Sequence, residues 1–431
     1  MSATTGAVGS VPWWREPTKD QWIAWIAAWM GWTLDAFDFT IFLLIMVPIS
    51  QEFGVPLMAV TAVFTITLWL RLVGATASGW LADRVGRKLP LMISIVWFSL
   101  CNFIAGFSPN FAFLFFFRAI LGIGMGAEWP AGASLAMESW PTRSRGFMSG
   151  VLQGSWGLGF LMSALIYGLL YDYIGWRGML WIGLLPALTV VWVRKYVKEP
   201  EVWLENRRKQ REQGREMHLP LFAIFKRQFI WNTLTACWWM TASMCTYYSI
   251  WALFATHLQR DLGLPPLMTG LPLAAANLVG FLGMAFWGFA GDRIGRRWSM
   301  IIPAFLGIFI TPTYLLSADP TWILVGFLFQ GLFAGAMYSQ MPSFLTERFP
   351  TEIRATASAF CFHQAAIFGG LVAPVLTYIA IDYKVGFAIP MLVGTTVGLI
   401  NVCVALLLSP ETKGRDFQSD LVVGSIASAS D

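Results

Sequence analysis

The chain has 431 residues, of which 57% are hydrophobic, 16% aromatic and only 12% charged, about half the charged share of a soluble domain. That much apolar surface cannot be hidden inside a water-soluble globule, so lipid must solvate most of it. Twelve helical spans of about 20 residues would use about 240 residues and leave the rest for loops. A disulfide scaffold and a metal cluster are excluded too: the five cysteines (Cys101, Cys237, Cys245, Cys361, Cys403) lie in apolar runs without paired spacing, and there are only three histidines.

In chain order, the first 20 residues are polar, carry Pro12, Arg15, Pro17 and Lys19, and lack the basic, apolar, small-residue order of a cleavable signal. Apolar runs then predict spans at 22–49, 57–81, 89–108, 110–139, 146–171, 176–197, 228–257, 267–291, 298–317, 320–346, 355–381 and 385–409. Strand alternation is absent, and helices are the remaining way to satisfy a backbone in lipid. Basic residues sort the loops. Arg84, Arg87 and Lys88 follow the second span, Arg143 and Arg145 the fourth, and a run from Arg194 to Arg227 separates the sixth from the seventh. Arg293, Arg296 and Arg297 follow the eighth, Arg348 and Arg354 flank the turn after the tenth, and Lys413 and Arg415 follow the last. The opposite loops hold Arg177, Arg260 and Lys384. By the positive-inside rule both termini and the long central loop are cytoplasmic. The net charge of +5 therefore marks topology beside anionic lipid rather than nucleic-acid binding.

The same marks recur at one offset. Gly79-x3-Asp83-Arg84-x-Gly86-Arg87-Lys88 matches Gly288-x3-Asp292-Arg293-x-Gly295-Arg296-Arg297, with Asp83 and Asp292 standing 209 residues apart. Gly122 and Gly126 map to Gly331 and Gly335, and Glu138, Pro141 and Arg145 to Glu347, Pro350 and Arg354, at the same 209. The expected organisation is a cytoplasmic segment 1–21, a six-helix half 22–197, a polar linker 198–226, a second six-helix half 227–409 and a cytoplasmic tail 410–431. A parallel repeat of this kind puts a pseudo-two-fold axis along the membrane normal and a cavity between the halves.

The paired G-x-x-x-D-R-x-G-R-[KR] loops, with Arg118-Ala-Ile-Leu-Gly122 in the fourth span, resemble the major facilitator superfamily over nearly the whole chain. The resemblance implies an all-α membrane protein of 12 transmembrane helices in two pseudo-symmetric halves. Within that superfamily, Gly31-Trp-Thr-Leu-Asp35-Ala-Phe-Asp38, Leu70-Arg71-Leu-Val-Gly74, Gly122-x-Gly124-x-Gly126-Ala-Glu128-Trp129 and Tyr247-Tyr248-x-x-Trp251 resemble the sialate:proton symporters and the fungal lactate permeases. Aromatic-acid:proton symporters share the D-x-x-D pair of the first span. The fifth span, Gly150-x3-Gly154-x-x-Gly157-x-Gly159, has the glycine spacing of drug antiporters without their proline, which weighs against drug exchange.

An ionisable group at bilayer depth costs at least ~2.5–3.5 kcal/mol and needs a reason. Asp35 lies about 20 Å along the first span and Asp38 one turn further; Arg71 lies about 18 Å and Glu128 about 15 Å above the basic loops, and Arg118 is higher still. All five belong to the first half. The second half offers Tyr247, Tyr248, Asn277, Tyr338, His363 and Gln364 at that depth. The expected division places charge and proton handling in the first half and substrate shape in the second. Arg71 or Arg118 would pair with an organic carboxylate through a two-pronged contact. Asp35, Asp38 or Glu128 would take the proton. Structural ion pairing remains the alternative for each of these groups. The resemblance implies that Asp83, Arg84, Arg87, Glu138 and Arg145, with Asp292, Arg296, Glu347 and Arg354, form a conformational latch.

These expectations amount to proton-coupled symport of a lactate-like acid or sialate by alternating access, driven by the proton gradient with no cofactor. The alternatives are an aromatic-acid or sugar carrier of the same superfamily, or an exchanger not coupled to protons. An enzyme would need a nucleophile with its base, a metal cluster or a phosphate loop, and the glycine runs lie inside membrane helices instead. The expected partners are a small organic anion, a proton and the lipid of a bacterial inner membrane; a monomer is the superfamily default.

Overall fold

The computed structural model describes residues 12–215, 220–264 and 266–423. The start of the N-terminal segment (1–11), four linker residues (216–219) and the end of the tail (424–431) lie outside the described residues. The first half runs α1 (Lys19–Phe53), α2 (Leu57–Val85), α3 (Lys88–Ala105), α4 (Phe111–Ser139), α5 (Arg145–Ile182) and α6 (Ala187–Tyr196). The linker carries α7 (Glu201–Glu212) and α8 (Pro220–Ala223). The second half runs α9 (Ile230–Trp251), α10 (Phe254–Arg260), α11 (Pro266–Ile294), α12 (Arg296–Leu315), α13 (Pro320–Leu332), α14 (Met341–Glu347), α15 (Arg354–His363), α16 (Ala365–Asp382) and α17 (Ala388–Leu408). No strand occurs among the described residues.

Local signals fix the helix ends. Thr18 and Gln21 form a reciprocal capping box at the start of α1 (2.8 and 3.3 Å). Asn110 and Asp319 accept from Phe113 N and Thr321 N to open α4 and α13. The repeated loops turn on Gly86 (φ 116°) and Gly295 (φ 103°). A side chain is strained in that left-handed region, so the motif needs glycine in both halves.

Among the described residues, ten stretches are long and apolar enough to cross a membrane. One of them, 142–196, covers two crossings, because Gly175 (φ 61°) kinks α5 and reverses the chain. The helix α9 supplies a further crossing, its hydropathy lowered by Thr, Ser, Tyr and Trp side chains. Several expected spans are not single helices. The sixth is interrupted at 183–186 by Gly183 and Pro186, the seventh at Ala252–Leu253, the tenth by a 3-10 segment Ala334–Tyr338, and the eleventh at Gln364. Such breaks are tolerated in a membrane where protein surrounds the freed backbone. At the eleventh, the Gln364 amide donates to Cys237 O (3.0 Å) and Cys361 O (3.1 Å).

Large apolar side chains such as Leu169, Val191, Phe309 and Trp322 stand exposed around the bundle, a surface suited to lipid. Within the first half, α2 and α4 touch backbone to backbone: a Cβ on Gly122 or Gly126 would lie 2.3 Å from Thr67 O and 2.0 Å from Arg71 O. Between the halves, α5 meets α11 in the same way, with a Cβ on Gly150 falling 2.1 Å from Met284 O. The glycines of the fourth and fifth spans are therefore helix-packing residues.

Candidate functional site

Arg71, on α2, is buried, and its Nη2 donates to Asp35 Oδ2 of α1 at 2.6 Å. Its guanidinium lies 5.2 Å from the Phe39 ring and 5.9 Å from the Trp156 ring, distances at which an aromatic face attracts a cation. Glu128 of α4 is within electrostatic reach of both Arg71 and Asp35. It packs on Gly31, where a Cβ would sit 2.4 Å from Glu128 Oε1. Neither oxygen of Glu128 has a hydrogen-bond partner among the described residues. From the second half, Tyr248 and His363 come within reach of the Arg71 charge. The His363 ring packs against Phe362 (4.5 Å) and Trp129 (6.4 Å), with Nδ1 3.1 Å from Ala359 O.

Arg118 centres a second cluster, which stays within electrostatic reach of Asp35 and Arg71. It donates to Asn102 Oδ1 (2.9 Å) and stacks 4.1 Å over Phe42, all within the first half. Asp38 neighbours Asn102 and feels the Arg118 charge. It makes no ion pair, and neither oxygen has a well-formed hydrogen bond among the described residues. The structure thus divides the five expected intramembrane charges into Asp35, Arg71 and Glu128 near the interface of the halves, and Asp38 with Arg118 inside the first half.

A narrow cavity of about 60 Å³ lies between α5 and the second half. Trp156, Tyr247, Trp251, Asn277, Gln330 and Tyr338 supply its principal aromatic and polar side chains. Trp156 of the first half and Tyr247 of the second face each other across this cavity. Tyr247 in turn stacks on Trp251 (6.0 Å, 26°) and meets Tyr338 edge-on (6.3 Å). The Tyr338 hydroxyl and Gln330 Oε1 have no partner among the described residues. Asn277 donates back to Leu273 O at 3.0 Å. Arg71, Glu128, Tyr248, His363 and Gln364 are not among its lining residues, and Gln364 is held by Cys237, Cys361 and Thr241. Sequence reading missed Trp156 and Gln330 as lining residues. Trp156 interrupts the glycine run of the fifth span, a visible signal; Gln330 carries none.

At the end of the bundle that bears the basic loops, the two copies of the repeat interlock. Asp83 accepts from Ala355 N (3.0 Å) and Thr356 N (2.9 Å) at the start of α15. Its repeat mate Asp292 accepts from Gly146 N and Phe147 N (both 2.8 Å) at the start of α5. Each carboxylate thus sits on the positive end of a helix from the other half. Arg87 pairs with Asp83 (3.0 Å) and Glu138 (2.8 Å), and Arg354 crosses to Glu138 at 2.6 Å. In the mirrored set, Arg296 pairs with Asp292 (2.6 Å) and Glu347 (3.2 Å), and Arg145 crosses to Glu347 at 3.3 Å. Arg84 instead stacks on Trp80 of its own helix (5.5 Å). Two carboxylates without a signal in the repeat complete the loops. Glu199 accepts from Arg87 N (2.7 Å) and Lys88 N (2.9 Å), and Glu411 from Arg296 N (2.9 Å) and Arg297 N (3.1 Å). Burial pushes the Glu199 carboxyl above the usual carboxylate range, against the lowering effect of those amides. This end of the bundle is closed.

The family model for the Major Facilitator Superfamily matches residues 28–254 and 239–422. The chain is 28% identical over 420 residues to the "Probable 4-methylmuconolactone transporter" of Cupriavidus pinatubonensis, covering 93% of each. It is 27% identical over 383 residues to the sialic acid transporter NanX of Escherichia coli, covering 88% of this chain and 92% of that one. The proton:xylose symporter XylE shares the fold with a TM-score of 0.74 at 16% identity, over 92% of this chain and 98% of that one. With its twelve-span repeat, interlocked loops and matching family model, the chain is a multi-pass membrane protein and a secondary transporter of the Major Facilitator Superfamily, not an enzyme.

Proposed function

We propose that the protein carries a small organic carboxylate together with a proton by alternating access, Arg71 holding the anion and Glu128 taking the proton. The observation that carries this reading is the cluster itself: one guanidinium, one carboxylate already paired to it, and a second buried carboxylate within its field that has no partner. A bare charge at that depth is expensive, and binding a proton removes it. In this reading an incoming carboxylate competes with Asp35 for Arg71, and Glu128 crosses as the neutral acid so that anion and proton move as a nearly uncharged load. Asp38, beside Arg118, passes protons between this centre and the opposite end of the bundle. The cavity needs to widen before a solute enters, which rocking of one half on the other provides.

The lining favours a flat acid over a polyol. Its side chains are mostly aromatic and glycine, with few polar atoms that lack partners. A polyhydroxylated solute would leave hydroxyls unsatisfied there. The resemblance to sialate symporters keeps sialate as the second reading. The basic loops support a cytoplasmic placement of both termini, and the relatives a bacterial inner membrane, with a monomer as the working unit.

The experiment is transport in proteoliposomes with benzoate, lactate, sialate and xylose as probes and external pH as readout. Alkalinisation of the medium on adding a carboxylate, lost in Arg71→Lys, supports the proposal. Movement of xylose alone, or carboxylate flux without any proton signal, overturns it.

A further inference from the structure

The C-terminal tail does not end with α17. From Glu411 it folds back over the closed end and touches the first half, the second half and the linker in turn. Arg145 donates to Arg415 O (3.0 Å), and Thr142 donates to Asp416. Thr351 donates to Gln418 O (2.7 Å). Asn206 and Lys209 of α7 hold Ser419 (3.0 Å to O, 2.9 Å to Oγ), and Lys209 also pairs with Asp420 (2.7 Å). Val422 N and Val423 N donate to Glu352 (3.0 and 3.2 Å), and Val423 is buried in the second half's core.

The centre of this path is Phe417. Its ring lies 4.0 Å from the Arg145 guanidinium and 4.1 Å from that of Arg354. These are the two arginines that cross between the halves, one to Glu347 and one to Glu138. One ring therefore touches both crossing residues, one from each half. Two cations drawn to a single aromatic ring are held in register only while the halves are together.

We propose that residues 415–423 form a strap that holds the basic end of the transporter closed, with Phe417 as its positioning residue. The strap is covalently part of the second half, and its bonds to Thr142 and Arg145 of the first half must break or slide when the halves part at this end, while Asn206 and Lys209 anchor it to the linker. Its removal then shifts the conformational equilibrium toward opening of the basic end without touching the central cavity. This inference rests on the closed gate, not on the identity of the solute.

Hydrogen–deuterium exchange on the purified full-length protein tests it. The reporters are the amides of Gly146, Phe147, Ala355 and Thr356, which donate across the halves to Asp292 and Asp83 and do not belong to the strap. Phe417→Ala is expected to speed their exchange about tenfold, equivalent to ~1.4 kcal/mol, while Phe417→Tyr, which keeps an aromatic face, retains the wild-type rate. Lys209→Ala, which frees the far end of the strap, is expected to move the same amides in the same direction. Faster exchange confined to 415–423, with the four reporter amides unchanged in both Phe417→Ala and Lys209→Ala, overturns the proposal and leaves the tail as packing only.

Discussion

Replacing Glu138 by Gln is expected to open the basic end more than replacing Glu347 by Gln, although the repeat makes the two residues equivalent. Glu138 accepts from Arg354 at 2.6 Å and from Arg87 at 2.8 and 3.0 Å. Glu347 accepts from Arg145 at 3.3 Å and from Arg296 at 3.2 and 3.3 Å. Arg87 and Glu138 travel together in the first half, so their bond survives rocking and cancels from the equilibrium. Of the bonds to these two glutamates, those from Arg354 to Glu138 and from Arg145 to Glu347 are the ones that cross between halves. A short charge-assisted hydrogen bond contributes ~1.5–3 kcal/mol, so losing the first crossing bond shifts the closed-to-open ratio roughly 10- to 150-fold. The long bond to Glu347 is closer to a neutral one, ~0.5–1.5 kcal/mol, or roughly 2- to 12-fold. The assay is pulsed electron spin resonance between labels at Val85 and Ile294, exposed repeat mates at the ends of α2 and α11, in a background freed of the five native cysteines. Glu138→Gln is expected to add a long-distance population larger than that of Glu347→Gln. Equal populations, or a larger one from Glu347→Gln, would refute the claim that bond length across the interface sets the strength of the gate.

Three further outcomes follow from the geometry. Glu128→Gln keeps shape but cannot exchange a proton; carboxylate binding by thermal shift is expected to stay within about threefold of wild type while substrate-driven alkalinisation disappears, and the same pair of measurements on Asp38→Asn separates the two acids. Gly126→Leu forces a side chain against Arg71 O, 2.0 Å from the Cβ position; overpacking of this kind costs ~1–3 kcal/mol or more. By contrast Gly168→Ala, where nothing lies within 4 Å, is expected to stabilise α5 by about 0.5–1 kcal/mol, both read from thermal unfolding in detergent. Glu199, whose carboxyl burial pushes upward, contributes stability that is fully present below the unfolded-state value and lost as pH rises through the raised one. Glu199→Gln is therefore expected to flatten melting temperature against pH from the ordinary carboxylate range upward; an unchanged slope counts against burial as the dominant influence on that group.

The fold and the interlocked network of the basic loops were legible because the chain repeats itself. Asp83, Arg87, Glu138 and Arg145 each have a mate 209 residues on, and the structure extends the same offset to amides that carry no motif: Gly146 and Phe147 mirror Ala355 and Thr356 as donors. Composition and loop charge were enough to lay out the spans, but not the breaks at Leu253, Phe333 and Gln364, where propensity is ordinary and local turn bonds carry the backbone across. The cavity was half legible. Tyr247, Asn277 and Tyr338 were expected and line it, while Arg71, Tyr248, His363 and Gln364 lie outside its lining and Arg118 sits with Asn102. Depth along a helix is readable from the 1.5 Å rise, but the side of the helix that faces the other half is not, since these helices are apolar all round. Glu199, Glu411 and Phe417 lie outside the repeated motif: the two glutamates hold loop amides more than a hundred positions away, and Phe417 touches Arg145 and Arg354 from the far end of the chain.

The glycine contacts also decide what can move. Gly74, Gly122 and Gly126 bring α2 and α4 so close that a single methyl group would collide with the opposite backbone. Arg71 lies on one of these helices and Glu128, two residues beyond Gly126, on the other. Their separation is therefore fixed by backbone packing, which is stiff, and rocking of the halves leaves it unchanged. Tyr248 and His363 approach the same centre from across the interface, and these are the contacts that rocking alters. A transporter built this way varies the dielectric and aromatic surroundings of a rigid charge pair rather than the pair itself. The fixed part lies in the half that carries the charges, and the variable part is supplied by the half that carries none at that depth.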